Sequence, residues 1–151
     1  MLYFSPHLSR HEYLITSHRA YLGQQFCPPD WILENATRFA LEVFEPARTL
    51  CGPLIVTSGY RCPDLNRAVG GRHNSLHTYG LAADLYPVAV SIPTAMGLIA
   101  RSQVPFQELI FELGRWIHLA APFPGMPPER KRLMYFGEKY EAWNPGDRRV
   151  A

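Results

Sequence analysis

The spacing of apolar residues divides the chain into helical segments first and strands later. In SRHEYLITSHRAYLG, Ser9 and Glu12 have capping-box spacing and Gly23 can end a helix, which predicts one helix over 9–23. WILENATRFALEVFEPARTL repeats Leu33, Ala36, Ala40, Val43, Phe44 and Ala47 at three- and four-residue steps. That is one buried helical face, with Pro46 bending or shortening its last part. PLIVTSGY reads as a buried strand running into a turn, and CPDLNRAVGG as a short helix from Pro63 to a stop at Gly70-Gly71. LAADLYPV is the next strand, and SIPTAMGLIARSQ a helix with Ser91 near its cap and Pro93 in its first turn. FQELIFELGRWIHLAAPF holds two β-prone runs around LGR, a hairpin signal, and KRLMYF adds a further strand. Early helices and late strands joined by hairpins predict an α+β fold, helices packed on a mainly antiparallel sheet. No repeat or long linker interrupts it, so one domain over 1–151 is expected.

Composition narrows the function classes. With 151 residues and 47% hydrophobic content, the chain can bury a core without staples. No apolar run approaches the length of a membrane span, and the start MLYFSPHLSRHEYL lacks the pattern of an export signal. The net charge of +2 is small and scattered, so no nucleic-acid partner is expected, and the basic residues of ERKRLMYF and GDRRV read as solvated surface. Cys27, Cys51 and Cys62 are widely spaced and contain no C-x-x-C, so neither a disulfide framework nor a cysteine-rich zinc site is indicated; without an export signal, three reduced thiols fit better than one disulfide and a spare thiol.

Candidate chemistry centres on GGRHNSLHTYGLAADLYPV, residues 70–88. His77 precedes Asp84 by seven residues. Gly80 permits a tight turn between them, and Ala82 and Ala83 leave room around a strand whose acid must point at a partner. Catalytic zinc needs three ligands of the His or carboxylate type and one position for water, and His118 could be the third. In RWIHLA a period of two puts Trp116, His118 and Ala120 on one face and Ile117 and Leu119 on the other. On that pattern alone, a hydrogen-bonded core histidine is favoured over a ligand, and both readings stand.

Three ordered blocks choose between them: TSGYRCPDLNRAVGG, SLHTYGLAADL read as S-x-H-x-x-G-x-A-x-D, and QELIFE followed by WIHLA. Over about residues 55 to 120 the chain resembles the M15 family of zinc D-Ala-D-Ala carboxypeptidases and related peptidoglycan peptidases, in particular its small, phage-associated branch. The fold of that family is also shared by the signalling domain of hedgehog proteins. The resemblance implies one zinc ion held by His77, Asp84 and His118. It makes Arg61 the arginine facing substrate, where a guanidinium holds a carboxylate or the developing oxyanion. It also makes Ser75 a candidate to hydrogen-bond substrate, with a plain turn serine as the other reading, and puts His73 and Tyr79 at the cleft without assigned chemistry.

The chain departs from the family at the base. Many members carry an acid three residues before the last histidine, where this chain has Arg115. Glu112 is the best substitute. A three-residue loop at Leu113, Gly114 and Arg115 would oppose Glu112 to Trp116 and Ile110 to His118, placing Glu112 and His118 on one face as diagonal neighbours. A two-residue loop would turn Glu112 away. Glu108 shares the face of Glu112 but lies further from the hairpin end, and a solvated strand carboxylate is the plain reading of both. The resemblance thus implies a zinc peptidase acting on peptidoglycan stem peptides or cross-links, as a carboxypeptidase or an endopeptidase; a monomer is expected. An inactive zinc-containing module of the same fold is the rival, kept alive by Arg115. A wall-cutting enzyme made inside the cell without an export signal is expected to reach the wall on release or by phage delivery.

Overall fold

The computed structural model describes residues 1–150; Ala151, the last residue of the expected domain, lies outside the described residues. The chain opens with a small hairpin, β1 (Tyr3–Ser5) and β2 (Leu8–Ser9), and then α1 (Arg10–Leu14), capped as expected by the Ser9 hydroxyl accepting from the Glu12 N–H at 3.1 Å. The helix expected over 9–23 is a correction: it stops at Leu14, a 3-10 turn covers Arg19–Tyr21, and α2 (Leu22–Phe26) contains Gly23. The cause is long-range. The Tyr13 carbonyl accepts from the Tyr60 N–H, and the Leu14 carbonyl accepts from the buried Gln25 side chain, so tertiary partners replace the next helical turn.

The second helical segment is continuous but changes pitch. α3 (Asp30–Phe39) passes through a π turn at Ala40–Phe44 into α4 (Glu45–Cys51). Pro46 has no N–H, and its ring would strike the carbonyl four residues back, so the wider turn just before it absorbs the misfit expected there. Ala36, Ala40, Val43, Phe44 and Ala47 are fully buried along one face.

β3 (Leu54–Ser58), the short helix α5 (Pro63–Ala68), β4 (Ala82–Pro87), α6 (Ile92–Ala100), β5 (Glu108–Glu112), β6 (Trp116–Ala120) and β7 (Lys131–Tyr135) follow where they were expected, and β8 (Tyr140–Ala142) is an addition. One sheet runs in the order β3-β4-β6-β5-β7-β8, antiparallel throughout except for the parallel β5-β7 pair. β3 is not the buried strand expected from PLIVTSGY: it is an edge strand, and Ile55 is 51% exposed.

The sheet has two unlike faces. Ala83 and Leu85 of β4, Ile117 and Leu119 of β6, and Leu109 and Phe111 of β5 are buried in the core, and α6 packs on these three strands. By alternation, the other face carries Asp84, His118, Glu108 and Glu112. Among the described residues no helix is long and apolar enough to cross a membrane, and Cys27, Cys51 and Cys62 are all free thiols.

Candidate metal centre

Three elements bring His77, Asp84 and His118 together. A 3-10 turn over Leu76–Tyr79 carries His77 and ends on Gly80, which has φ of 70°. A Cβ there would also lie 2.7 Å from the Ile32 carbonyl, so the turn needs glycine for both conformation and space. On the sheet, Asp84 of β4 lies directly opposite His118 of β6. The His77 Nε2, Asp84 Oδ1 and His118 Nδ1 atoms form a triangle with sides of 3.2, 3.3 and 3.1 Å. Ligand atoms held about 2.0–2.1 Å from a tetrahedral cation lie about 3.3–3.4 Å from each other, so this donor set fits a metal ion in type and in spacing.

The opposite ring nitrogens are also engaged, which fixes which nitrogen faces the triangle. His77 Nδ1 donates to the Gly59 carbonyl at 2.7 Å, and His118 Nε2 meets Glu108 Oε2 at 3.1 Å. Each histidine therefore offers its remaining nitrogen to the shared point. Burial works against charge on both rings. It prevails at His77, whose pKa is lowered; at His118 the hydrogen bonds and charges of Asp84 and Glu108 outweigh it and raise the pKa to about 9. Burial would raise Asp84, but the two histidines hold it well below the usual carboxylate range.

The triangle lies in a cleft of about 990 Å³, whose lining includes Arg61, Ser75, Glu108, Glu112, Trp116 and Tyr140. The hairpin takes the register of the three-residue loop, with Ile110 opposite His118 and Glu112 opposite Trp116. Glu108 and Glu112 therefore flank His118 diagonally on one face. Their surroundings separate them. Burial raises Glu112, assisted by the Asp84 charge; at Glu108 the hydrogen bond and charge of His118 overcome burial and lower it. Arg115 is exposed at the hairpin tip, outside the cleft lining.

Arg61 follows the turn after β3. Its N–H donates to the His77 carbonyl at 3.1 Å, and its Nη2 lies 3.9 Å from Asp84 Oδ2. The fully buried Gln25 braces this turn, donating to the Tyr60 carbonyl while its Oε1 accepts from the Cys62 N–H. His73 and Tyr79 are corrections, since neither lines the cleft. Tyr79 packs edge-on against Phe123 and tilts against Trp31 instead. Glu108 is the residue that sequence reasoning undervalued. Its signal was present in the alternation of ELIFE, which puts it on the face of His118 as surely as Glu112.

No curated protein matches the chain. The family model described as peptidase M15, a family of metal-dependent peptidases, matches residues 7–120, a span that includes all three residues of the triangle as well as Arg61, Glu108 and Glu112. The chain belongs to the peptidase M15 family.

Proposed function

We propose that the chain is a zinc peptidase that hydrolyses peptide bonds of bacterial peptidoglycan, with His77, Asp84 and His118 holding one zinc ion. The observation that carries this reading is the triangle of two imidazole nitrogens and one carboxylate oxygen, open to a cleft that also contains a glutamate of raised pKa. An ion held by these three residues would lower the pKa of a bound water to about 7 and polarise a carbonyl. Glu112 is the base: a half-buried carboxyl with a raised pKa takes a proton from the attacking water more readily than an ordinary glutamate and returns it to the leaving amine. Arg61 steadies negative charge on the substrate or the developing oxyanion, and its burial beside Asp84 holds it in place. Glu108 accepts from His118 and keeps that ring turned toward the ion. Ser75, at the cleft lining, hydrogen-bonds substrate.

The position of Arg115 supports the rival, an inactive zinc module, only if no other carboxylate can serve as base. The register that puts Glu112 diagonal to His118 supports the enzyme. The test is release of new amino groups from purified peptidoglycan, with and without chelator, alongside metal content. Glu112→Gln should keep its zinc and lose about 10²–10⁴-fold in rate. Zinc-loaded wild-type protein that cleaves no wall preparation would establish the inactive module. Unchanged cleavage by Glu112→Gln would remove Glu112 from the mechanism.

A further inference from the structure

A lateral row of side chains crosses the site face of the sheet, one step along the strands from the metal ligands. Ile55 of β3 lies opposite Tyr86 of β4, Trp116 of β6 opposite Glu112 of β5, Glu112 beside Tyr135 of β7, and Tyr135 opposite Tyr140 of β8. Tyr86 and Trp116 come next to the Leu85–Ile117 pair on their two strands, so they join the halves of the row. By alternation Tyr86 stands on the face of Asp84 and Trp116 on the face of His118, each two residues from a ligand.

The two ends of this row differ. Tyr135 and Tyr140 stack on each other with centroids 4.6 Å apart, and the Arg72 guanidinium covers the Tyr140 ring at 4.4 Å. Among the described residues, Tyr86 and Trp116 stack on no aromatic ring and under no guanidinium. Tyr86 is 47% exposed and Trp116 half-buried. Trp116 also lines the metal cleft, so the uncovered end of the row starts at the cleft wall.

Uncovered rings on neighbouring strands suit one kind of ligand. Tyrosine and tryptophan combine an apolar face with a polar tip. The C–H face of a pyranose lies flat on such a ring, and its hydroxyls remain at the edge for water, the phenol O–H and the indole N–H. Neighbouring strands lie about 4.8 Å apart, close to the length of one sugar in an extended chain. A protein partner fits less well, because Ile55, Tyr86 and Trp116 together present far less than the roughly 800 Å² that a stable interface covers on each side.

We propose that Tyr86 and Trp116 form a glycan-binding platform beside the metal cleft, which takes an extended β-1,4-linked amino-sugar strand by stacking. This rests on the peptidoglycan reading, in which the stem peptide is a branch of such a strand. With sugars on the platform, the branch enters the cleft past Trp116 toward His118. The platform holds the polysaccharide and takes no part in bond cleavage.

The experiment follows the indole N–H signals of zinc-loaded protein by nuclear magnetic resonance during titration with a tetramer of β-1,4-linked N-acetylglucosamine. Trp31, Trp116 and Trp143 are assigned by replacing each with phenylalanine. Trp116 should shift and saturate. Trp143, which is buried, should not move, and neither should Trp31, which is exposed on α3 beside Tyr79. A tetramer of α-1,4-linked glucose, which coils, should leave Trp116 unmoved. Loss of one stacked ring predicts that Tyr86→Ala binds the β-linked tetramer about 3–10-fold more weakly. Tyr86→Phe, which keeps the ring face, should bind as the wild type does. Tyr86 is exposed, so neither replacement disturbs the core. An unmoved Trp116, a shift of Trp31 in its place, equal response to the α-linked tetramer, or a Tyr86→Ala variant that binds as tightly as wild type would overturn the inference. So would a dimer in sedimentation that Tyr86→Ala dissolves, since the surface would then belong to a second copy. The outcomes also separate the two readings. Platform binding in a protein that cleaves no wall preparation refutes the peptidase alone; wall cleavage by a protein that binds no tetramer refutes the platform alone.

Discussion

His77 and His118 reach the same point from opposite kinds of backbone. His77 rides on a 3-10 turn and is held by a main-chain acceptor, the Gly59 carbonyl at 2.7 Å. His118 rides mid-strand on β6 and is held by a side chain, Glu108, at 3.1 Å. A carbonyl is placed by the whole chain around it, so the His77 side can be damaged only by moving backbone. A carboxylate can be removed by one substitution that leaves the sheet intact. The difference separates the part of the site that is tied to folding from the part that can be tuned.

The strongest way to break the comparison is Gly59→Ala. A Cβ there would sit 2.2 Å from the Tyr13 carbonyl, a backbone atom that already accepts from the Tyr60 N–H. Relief requires the end of β3 to move away from α1 and to take the Gly59 carbonyl with it. The expected cost is about 3 kcal/mol of stability, read by denaturant unfolding, together with weaker metal binding. If Gly59→Ala lowered metal affinity without lowering stability, the turn would not be the folding-coupled half of the site.

Glu108 supplies the complementary test. Glu108→Ala should keep the fold by circular dichroism and lose about 10–100-fold in metal affinity by chelator competition, because His118 no longer has its outer nitrogen fixed. Glu108→Gln retains a carbonyl oxygen that can accept the same N–H, so its loss should be smaller. Nitrogen chemical shifts of His118 should report a mixture of tautomers in the alanine variant only. Equal losses for Ala and Gln would mean that charge, and not orientation, is what Glu108 contributes.

How far this architecture was legible follows from which interactions were local. The amphipathic step through Ala36, Ala40, Val43, Phe44 and Ala47 is a property of one segment, and its burial came out as read. The α+β class and the β5–β6 hairpin were legible for the same reason, but LGR left two registers open, and the folded chain takes the one with Glu112 opposite Trp116. The helix expected over 9–23 failed because the Tyr13 and Leu14 carbonyls find partners at Tyr60 and Gln25, which no local pattern can announce. β1, β2 and β8 have at most three residues each, too short to show a period of two. At the site, the motif blocks indicated His77, Asp84 and His118, and the folded chain brings their ligand atoms together. The link from Glu108 to His118 depends on a side-chain direction that sequence spacing does not encode.

The smallest expected effect concerns pH and sharpens the contrast between the two rings. In chelated protein, His118 has a pKa raised to about 9 from 6.5, so the folded state holds a proton there that the unfolded chain releases sooner. Its contribution to stability is complete below pH 6.5 and is lost as pH rises through about 9. His77 is shifted the other way: burial lowers its pKa, so its unfolded form binds more protons and it penalises folding only below about pH 6.5. Asp84, held low, contributes stability at all pH values above the unfolded carboxylate range, and that is lost only in strong acid. Between pH 6.5 and 8 only His118 among the three therefore changes stability, and chelated protein should lose on the order of 1 kcal/mol across that interval. Zinc-loaded protein should not show this loss, because the ion displaces that same proton in the folded state and binds more tightly as pH rises. Thermal unfolding from pH 6 to 8.5, with and without chelator, should give melting temperatures that diverge with pH. Parallel curves would mean that His118 does not exchange its proton for the metal, and would remove it from the ligand set.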